Sequence, residues 1–371
     1  MKILIVDDSS LYRKLMSMAV EGLDMTTDVD TAPSGQIALK KIPTFLPDLV
    51  LLDIEMPDMN GIEVLREIRR EYPQITVILV SGANSRSADI TIEGLTSGAA
   101  HFIPKPISNN MEEGTRELRA GLLEAFNLLE AKLKTRAGRT AQRDGGTPAA
   151  SPAATQPMSQ VGDPKRKLPN ILPTRVNVVA IGVSTGGPVA LEKLLPALPG
   201  NLPVPVVIVQ HMPPVFTESL AKALDKKSAI TVHEAADGQV LEPGHAYIAK
   251  GGVHLMIKKQ IDQEAQKLVC GLVDSEPVNS CKPAVDVLFE SLGRVAGPNT
   301  LAVVMTGMGS DGCDGARSVK NANGYVLSQS ADSCTVYGMP QAVDQAGLSD
   351  ESVHLDQLAN RITEIILGGI R

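Results

Sequence analysis

Four short apolar runs near the N-terminus each stop on a polar or charged residue, and this pattern restricts the fold more than any other feature. Ile3–Val6 ends at Asp7-Asp8, Leu49–Leu52 at Asp53, Thr76–Val80 at Ser81, and His101–Ile103 ahead of Pro104-Lys105-Pro106. Helical spacing occupies Ser10–Leu23 and Gly61–Tyr72, where Ile62, Leu65 and Ile68 share one face. Continuous buried runs alternating with amphipathic stretches predict βα units and a parallel sheet.

A second pattern of the same kind begins at Val176. Val178–Val183, Val204–Val209, Leu301–Met305 and Gly324–Leu327 read as strands. Pro188–Leu198, Thr217–Lys226, Pro283–Val295, Asp311–Ala322 and Leu355–Leu367 read as helices. Tyr247–Ala249 and Val253–Lys258 flank Gly251-Gly252 and predict a β-hairpin. Between the two patterns, 109–137 carries a helical stripe of Leu118, Leu122, Leu123, Phe126, Leu129 and Leu133. Residues 138–169 are rich in Ala, Pro, Thr, Gly, Ser and Gln, with almost nothing to bury, and read as a flexible tether. Their basic residues, Arg139, Arg143, Lys165, Arg166 and Lys167, are solvated or form a contact surface. The expected fold class is α/β in two domains, each a doubly wound parallel sheet flanked by helices. The expected boundaries are 1–125, a helical extension and linker at 126–175, and 176–371.

Composition narrows the function. The net charge of -7 supplies no basic field for nucleic acid. The four cysteines, Cys270, Cys281, Cys313 and Cys334, form no CxxC pair, which argues against a structural zinc site and fits a reducing compartment. The apolar run at Ile3–Val6 is too short for a secretory signal, and no run approaches membrane-spanning length. A cytoplasmic protein without membrane insertion is expected.

In a parallel sheet the carboxyl ends of the strands carry the functional groups. Here they bring together Asp7, Asp8, Asp53, Ser81 and Lys105. Converging carboxylates repel unless they hold a hard divalent cation, and Mg²⁺ suits such a set. The cation would let a phosphoryl group approach Asp53, with Lys105 and Ser81 contacting its oxygens. Any one of these residues alone would read as a solvated loop end. On these residues, 1–125 resembles a response-regulator receiver domain. The resemblance implies phosphorylation of Asp53 by a histidine kinase, a backbone carbonyl of Glu55 in the Mg²⁺ shell, and Phe102 as the switch aromatic, a position that a simple core contact would also explain.

In the second pattern, Ser184 follows a strand within Gly182-Val183-Ser184-Thr185-Gly186-Gly187-Pro188. This is the setting of a nucleophile elbow, although a helix-capping hydroxyl has the same look. The next strand ends in Gln210-His211. Of the six histidines (101, 211, 233, 245, 254, 354), only His211 ends a long apolar strand. As a base, it would take the Ser184 proton and return it to the leaving group. Asp311, beyond the strand Leu301–Met305, would orient His211. The N–H groups of Thr185 and Met308 are the oxyanion-hole candidates. A rival reading is Gly307-x-Gly309-x-x-Gly312 as a dinucleotide loop, with Asp332 at the usual distance beyond it. That reading leaves Ser184 and His211 unused.

The segments AIGVSTGGP, VQHMPPVFT, EPVNSCKPAVDVLF, VMTGMGSDG and YGMPQAV make residues 176–371 similar to the catalytic domain of chemotaxis protein-glutamate methylesterases, the CheB family. The resemblance implies a Ser184, His211, Asp311 triad without a cofactor of its own. It also implies hydrolysis of glutamate methyl esters, and deamidation of specific glutamines, on methyl-accepting chemoreceptors. Both reactions pass through a serine acyl-enzyme. A phospho-controlled binding module without turnover is the remaining alternative.

Overall fold

Strand β1 (Lys2–Val6) and its neighbours β2 (Asp28–Ala32), β3 (Leu49–Asp53), β4 (Thr76–Ser81) and β5 (His101–Pro104) form one wholly parallel sheet in the order β2-β1-β3-β4-β5. The protein is seen here in a computed structural model that describes residues 1–21, 23, 28–106, 110–123, 126, 172–262 and 265–368. Strand β2 has only one fully buried position, Ala32, so its apolar signal in the sequence is weak. Helices α2 (Gly35–Phe45), α3 (Gly61–Glu71) and α4 (Ser85–Thr96) pack on one face. On the other face lie α1 (Ser10–Glu21) and α5 (residues 111–123), whose Leu118 and Leu122 are buried against Ile3, Ile5 and Ile103. Side-chain caps set the helix starts. Asn60 and Glu63 close a capping box on α3, and Asn84 caps α4. The expected continuation of α5 to residue 137, and most of the expected linker, lie outside the described residues.

The second sheet has seven parallel strands in the order β14-β13-β12-β6-β7-β9-β8. They are β6 (Val178–Val183), β7 (Val206–Gln210), β8 (Thr231–Glu234), β9 (His245–Ile248), β12 (Thr300–Val304), β13 (Tyr325–Gln329) and β14 (Glu351–Val353). One face is covered by α6 (Gly187–Leu194), α7 (Phe216–Asp225) and α11 (Leu355–Gly368). The other is covered by α8 (Val285–Val295), α9 (Cys313–Asn321) and α10 (Met339–Gln345). Beside them, β10 (His254–Asp262) and β11 (Ala265–Val273) pair antiparallel.

The hairpin therefore lies one strand later than the glycine pair suggested. Strand β9 is buried and pairs parallel with both β7 and β8, while Gly251-Gly252 only turns the chain out of the sheet. The cause is non-local, because pairing of β9 with β7 is a contact that hairpin signals do not encode.

The two α/β units meet. Helix α4 of the first packs against α7 and α6 of the second. The rings of Phe102 and Phe216 lie 4.6 Å apart at their centroids, a range typical of attractive aromatic pairs. A cavity of about 340 Å³ separates the helices further out, lined by residues such as Asp89, Glu93, Lys222 and Lys226.

Candidate functional site

Ligand crevices form in parallel sheets where the strand order reverses. In the first sheet the reversal falls between β1 and β3, whose ends carry Asp7 and Asp53. Both carboxylates are buried, whereas Asp8 is exposed. Lys105 Nζ stands 2.9 Å from Asp7 Oδ2 and 2.9 Å from Asp53 Oδ2. Neither oxygen has an aligned hydrogen-bond donor, although both are buried. Burial and the neighbouring Asp7 charge push Asp53 up to about 6, and burial likewise raises Asp7. Two buried carboxylate oxygens that share the single Lys105 ammonium, beside Asp8, would accept a hard cation, and ligand atoms of Asp7, Asp8 and Asp53 lie within 4.8 Å of one another.

Other residues of this end are placed as follows. The Glu55 N–H donates to Asp53 Oδ1 at 3.3 Å, while its side chain accepts from Ser87 Oγ. Ser81 is fully buried and accepts from Thr91 Oγ1 at 2.7 Å. Lys105 also lies over the Tyr12 ring. Phe102 is turned away from this cluster and toward Phe216.

In the second sheet one such reversal falls between β6 and β12. Ser184 ends β6, His211 ends the adjacent β7, and Asp311 follows β12 on the other side. His211 Nε2 and Asp311 Oδ2 are 2.7 Å apart. Asp311 also accepts from the N–H groups of Val285 (2.6 Å), Asp286 (3.1 Å) and Gly312 (3.0 Å), and from Asn279 Nδ2 (3.0 Å). Burial works against its charge, but these donors and the imidazole hold Asp311 below the ordinary carboxylate value. For His211, burial disfavours the cation. The Asp311 bond and the Cys281 contact outweigh it and push the ring up to about 9.

Ser184 is buried and shares a cleft with His211. Among the described residues its Oγ makes no hydrogen bond to the imidazole. The Ser184 carbonyl instead accepts from Gln210 Nε2 at 2.9 Å. Two backbone features allow the approach of the loops. Gly186 has φ +79°, and a Cβ on Gly307 would stand 2.8 Å from Ser184 Cβ and 2.3 Å from Met339 Sδ. Neither the Thr185 nor the Met308 N–H donates to a protein acceptor among the described residues, and Thr185 Oγ1 is buried without a partner. The remaining walls come from the first unit: Leu95, Ala99, Ala100, His101 and Phe102 cover the cleft and leave about 40 Å³.

The Gly307–Gly312 loop does not present a phosphate cradle. The Gly312 N–H is taken by Asp311, the Gly307 N–H by Val336 O, and Asp332 is exposed and bonded to Ser330. Sequence reasoning missed Asn279 and Asp286. Asn279 Nδ2 bridges Asp286 Oδ2 (2.7 Å) and Asp311 Oδ1 (3.0 Å) from a loop position with φ +53°. Burial pushes Asp286 up to about 6, with the Asp311 charge adding to it. The Cys281 contact with His211 was missed as well. Gln210 carried a readable signal, since it ends the same strand as His211.

Comparison with known proteins gives the family. Residues 3–113 match the response regulator receiver domain and residues 179–362 the CheB methylesterase. A protein-glutamate methylesterase/protein-glutamine glutaminase of Trichodesmium erythraeum is 40% identical, with 97% of each chain covered. One of Geobacillus kaustophilus is also 40% identical, with 98% of each covered. The crystal structure of the Thermotoga maritima CheB methylesterase catalytic domain is 41% identical over 51% of this chain and 98% of that chain, with a TM-score of 0.49. The chain belongs to the CheB family of protein-glutamate methylesterases, a receiver domain followed by a CheB methylesterase domain.

Proposed function

We propose that this chain removes methyl groups from glutamate esters, and ammonia from specific glutamines, on the cytoplasmic helices of chemoreceptors, with Ser184 as nucleophile, His211 as base and then acid, and Asp311 as its orienting partner. One observation carries the reading: an imidazole held 2.7 Å from a pinned carboxylate opens on the same cleft as a serine at the end of the intervening strand. Because Nε2 is tied to Asp311, Nδ1 is the nitrogen available to take the serine proton. Attack on the ester or amide carbonyl expels methanol or ammonia, and water then releases the glutamate. The free N–H groups of Thr185 and Met308 are the donors for the developing oxyanion.

The receiver supplies control. Asp53 accepts a phosphoryl group from a histidine kinase. Asp7, Asp8, the Asp53 carboxylate and the Glu55 carbonyl would hold Mg²⁺, which neutralises the transferring group when bound. Lys105 and Ser81 then contact the phosphoryl oxygens. A cleft of about 40 Å³ has room for roughly one water and no ester side chain, which supports the reading of this arrangement as a closed state. Phosphorylation shifts the population toward separated domains through the Ser81 and Phe102 face. No helix of the described residues is long and apolar enough to cross a membrane, in keeping with a cytoplasmic enzyme that meets its receptors from inside.

Methanol release from methylated receptor, with and without a small phosphodonor, is the test. The wild-type chain accelerates with the donor, and Ser184→Ala releases none under either condition while keeping its melting temperature. Turnover retained by Ser184→Ala would remove the serine from its role.

A further inference from the structure

The imidazole of His211 has a second contact that the proposed chemistry does not use. Its Nδ1 lies 3.4 Å from Cys281 Sγ, while Nε2 is engaged by Asp311. Cys281 is half-buried between β11 and α8 and forms no disulfide. Zinc bonds to sulfur at about 2.3 Å and to imidazole nitrogen at about 2.0–2.1 Å, so tetrahedral angles put the two donors ~3.5 Å apart. The observed separation of 3.4 Å matches that spacing, which a thiol–imidazole hydrogen bond also has. Asp311 adds the third element. A carboxylate on the far ring nitrogen fixes the Nε2–H tautomer and turns the Nδ1 lone pair outward, as in carboxylate–histidine–zinc arrangements. One ligand atom from each of the three residues falls within 4.8 Å of the others, so the Asp311 charge also lies close to any cation seated there. Thiolate and imidazole favour soft cations over Mg²⁺, in contrast to the all-oxygen cluster of the receiver.

We propose that Cys281 Sγ and His211 Nδ1 form an inhibitory site for Zn²⁺, completed by water. On binding, the Cys281 thiol releases its proton to solvent, the thiolate bonds to the metal, and no electron changes hands. The bound cation occupies the lone pair that would otherwise deprotonate Ser184. The inhibition rests on the reading of His211 as base, whereas the binding does not.

The experiment uses the full, freshly reduced chain with Mg²⁺ in excess, so that the receiver's oxygen cluster is already served. Titration with Cd²⁺ produces an ultraviolet thiolate-to-cadmium charge-transfer band that Zn²⁺ then competes away. The band is lost in Cys281→Ser and kept in a Cys270→Ala/Cys313→Ser/Cys334→Ser variant that leaves Cys281 as the single thiol, which decides the matter even if the first variant folds poorly. Zn²⁺ stops methanol release by the wild-type chain and a chelator restores it, while each variant is judged against its own zinc-free rate. No band in the wild type, or an equal band in Cys281→Ser, overturns the site. A band accompanied by zinc-indifferent hydrolysis overturns the inhibitory role. Failure of the serine reading shows itself separately, as turnover by Ser184→Ala.

Discussion

Asp311 is the most heavily constrained side chain of the proposed triad. Its two oxygens meet five donors from β7, the 279 loop, the start of α8 and its own turn. A carboxylate that orients an imidazole must itself be held, and Asn279 holds it while tying it to the buried Asp286. Asn279→Ala removes the one side-chain donor to Asp311 Oδ1, which keeps the Asp286 and Gly312 N–H groups, and takes the amide donor from Asp286 Oδ2. The expected result is a fall of about ten- to a hundredfold in kcat with KM little changed, because a small misplacement of a positioned group is costly. Steady-state kinetics on methylated receptor check this, and an equal change in KM alone would assign Asn279 to substrate binding. Ser184 and His211 could be proposed from the sequence because each directly follows a buried strand, whereas Asp311 lies in a loop beyond β12. Asn279 and Cys281 were not legible. They sit on a loop whose approach to the strand ends is set by packing of α8, and the positive φ of Asn279 and Ser280 marks the turn.

Helices and strands carry the receiver's electrostatics. Ile3–Val6 and Leu49–Leu52 are wholly buried, and they deliver Asp7 and Asp53 to one low-dielectric end. With Asp53 raised to about 6, protonation favours the folded state. That contribution is present at acid pH and is lost as pH rises through about 6, leaving ionised carboxylates that cost stability. A divalent cation offsets this only where the carboxylates are ionised. Mg²⁺ should therefore raise the receiver's melting temperature clearly at pH 8 and much less at pH 5. Saturation at a hundred times Kd corresponds to about 2.7 kcal/mol. Equal shifts at both pH values in a thermal melt would show that the cation binds elsewhere. At this scale the sequence was readable wherever a strand is buried on both faces. It was unreadable for β2 and β8, which lie at sheet edges and expose part of their length. Strand β9 was seen as a strand but given the wrong neighbour, since its partner β7 lies far back along the chain.

For the whole molecule, the decisive feature is how the two sheets share a seam. Each sheet was foreseeable from its own residues, but their mutual placement was not, because residues 138–169 between them carry no periodic signal and the contact is made by ordinary core residues. Ile90 is half-buried on α4 where that helix packs against α7, close to Lys222 and Lys226 across the gap. Ile90→Lys removes apolar contact and places a charge in a packed seam beside Lys222 and Lys226, and an unchanged melting temperature of the receiver would show that its own core is intact. A loss of about 1–2 kcal/mol would multiply the open fraction by ~5–30. Basal methanol release without phosphodonor should rise by a similar factor, and an unchanged basal rate would place the restraint elsewhere. Since the β5 edge of the receiver roofs the serine, the proposed phosphorylation of Asp53 would be coupled to occupancy of that serine. Whatever phosphorylation gives to substrate affinity, bound substrate must return to the phosphorylated receiver in equal measure. On that reading, a receptor presenting its ester would act as an effector of the switch as well as its target.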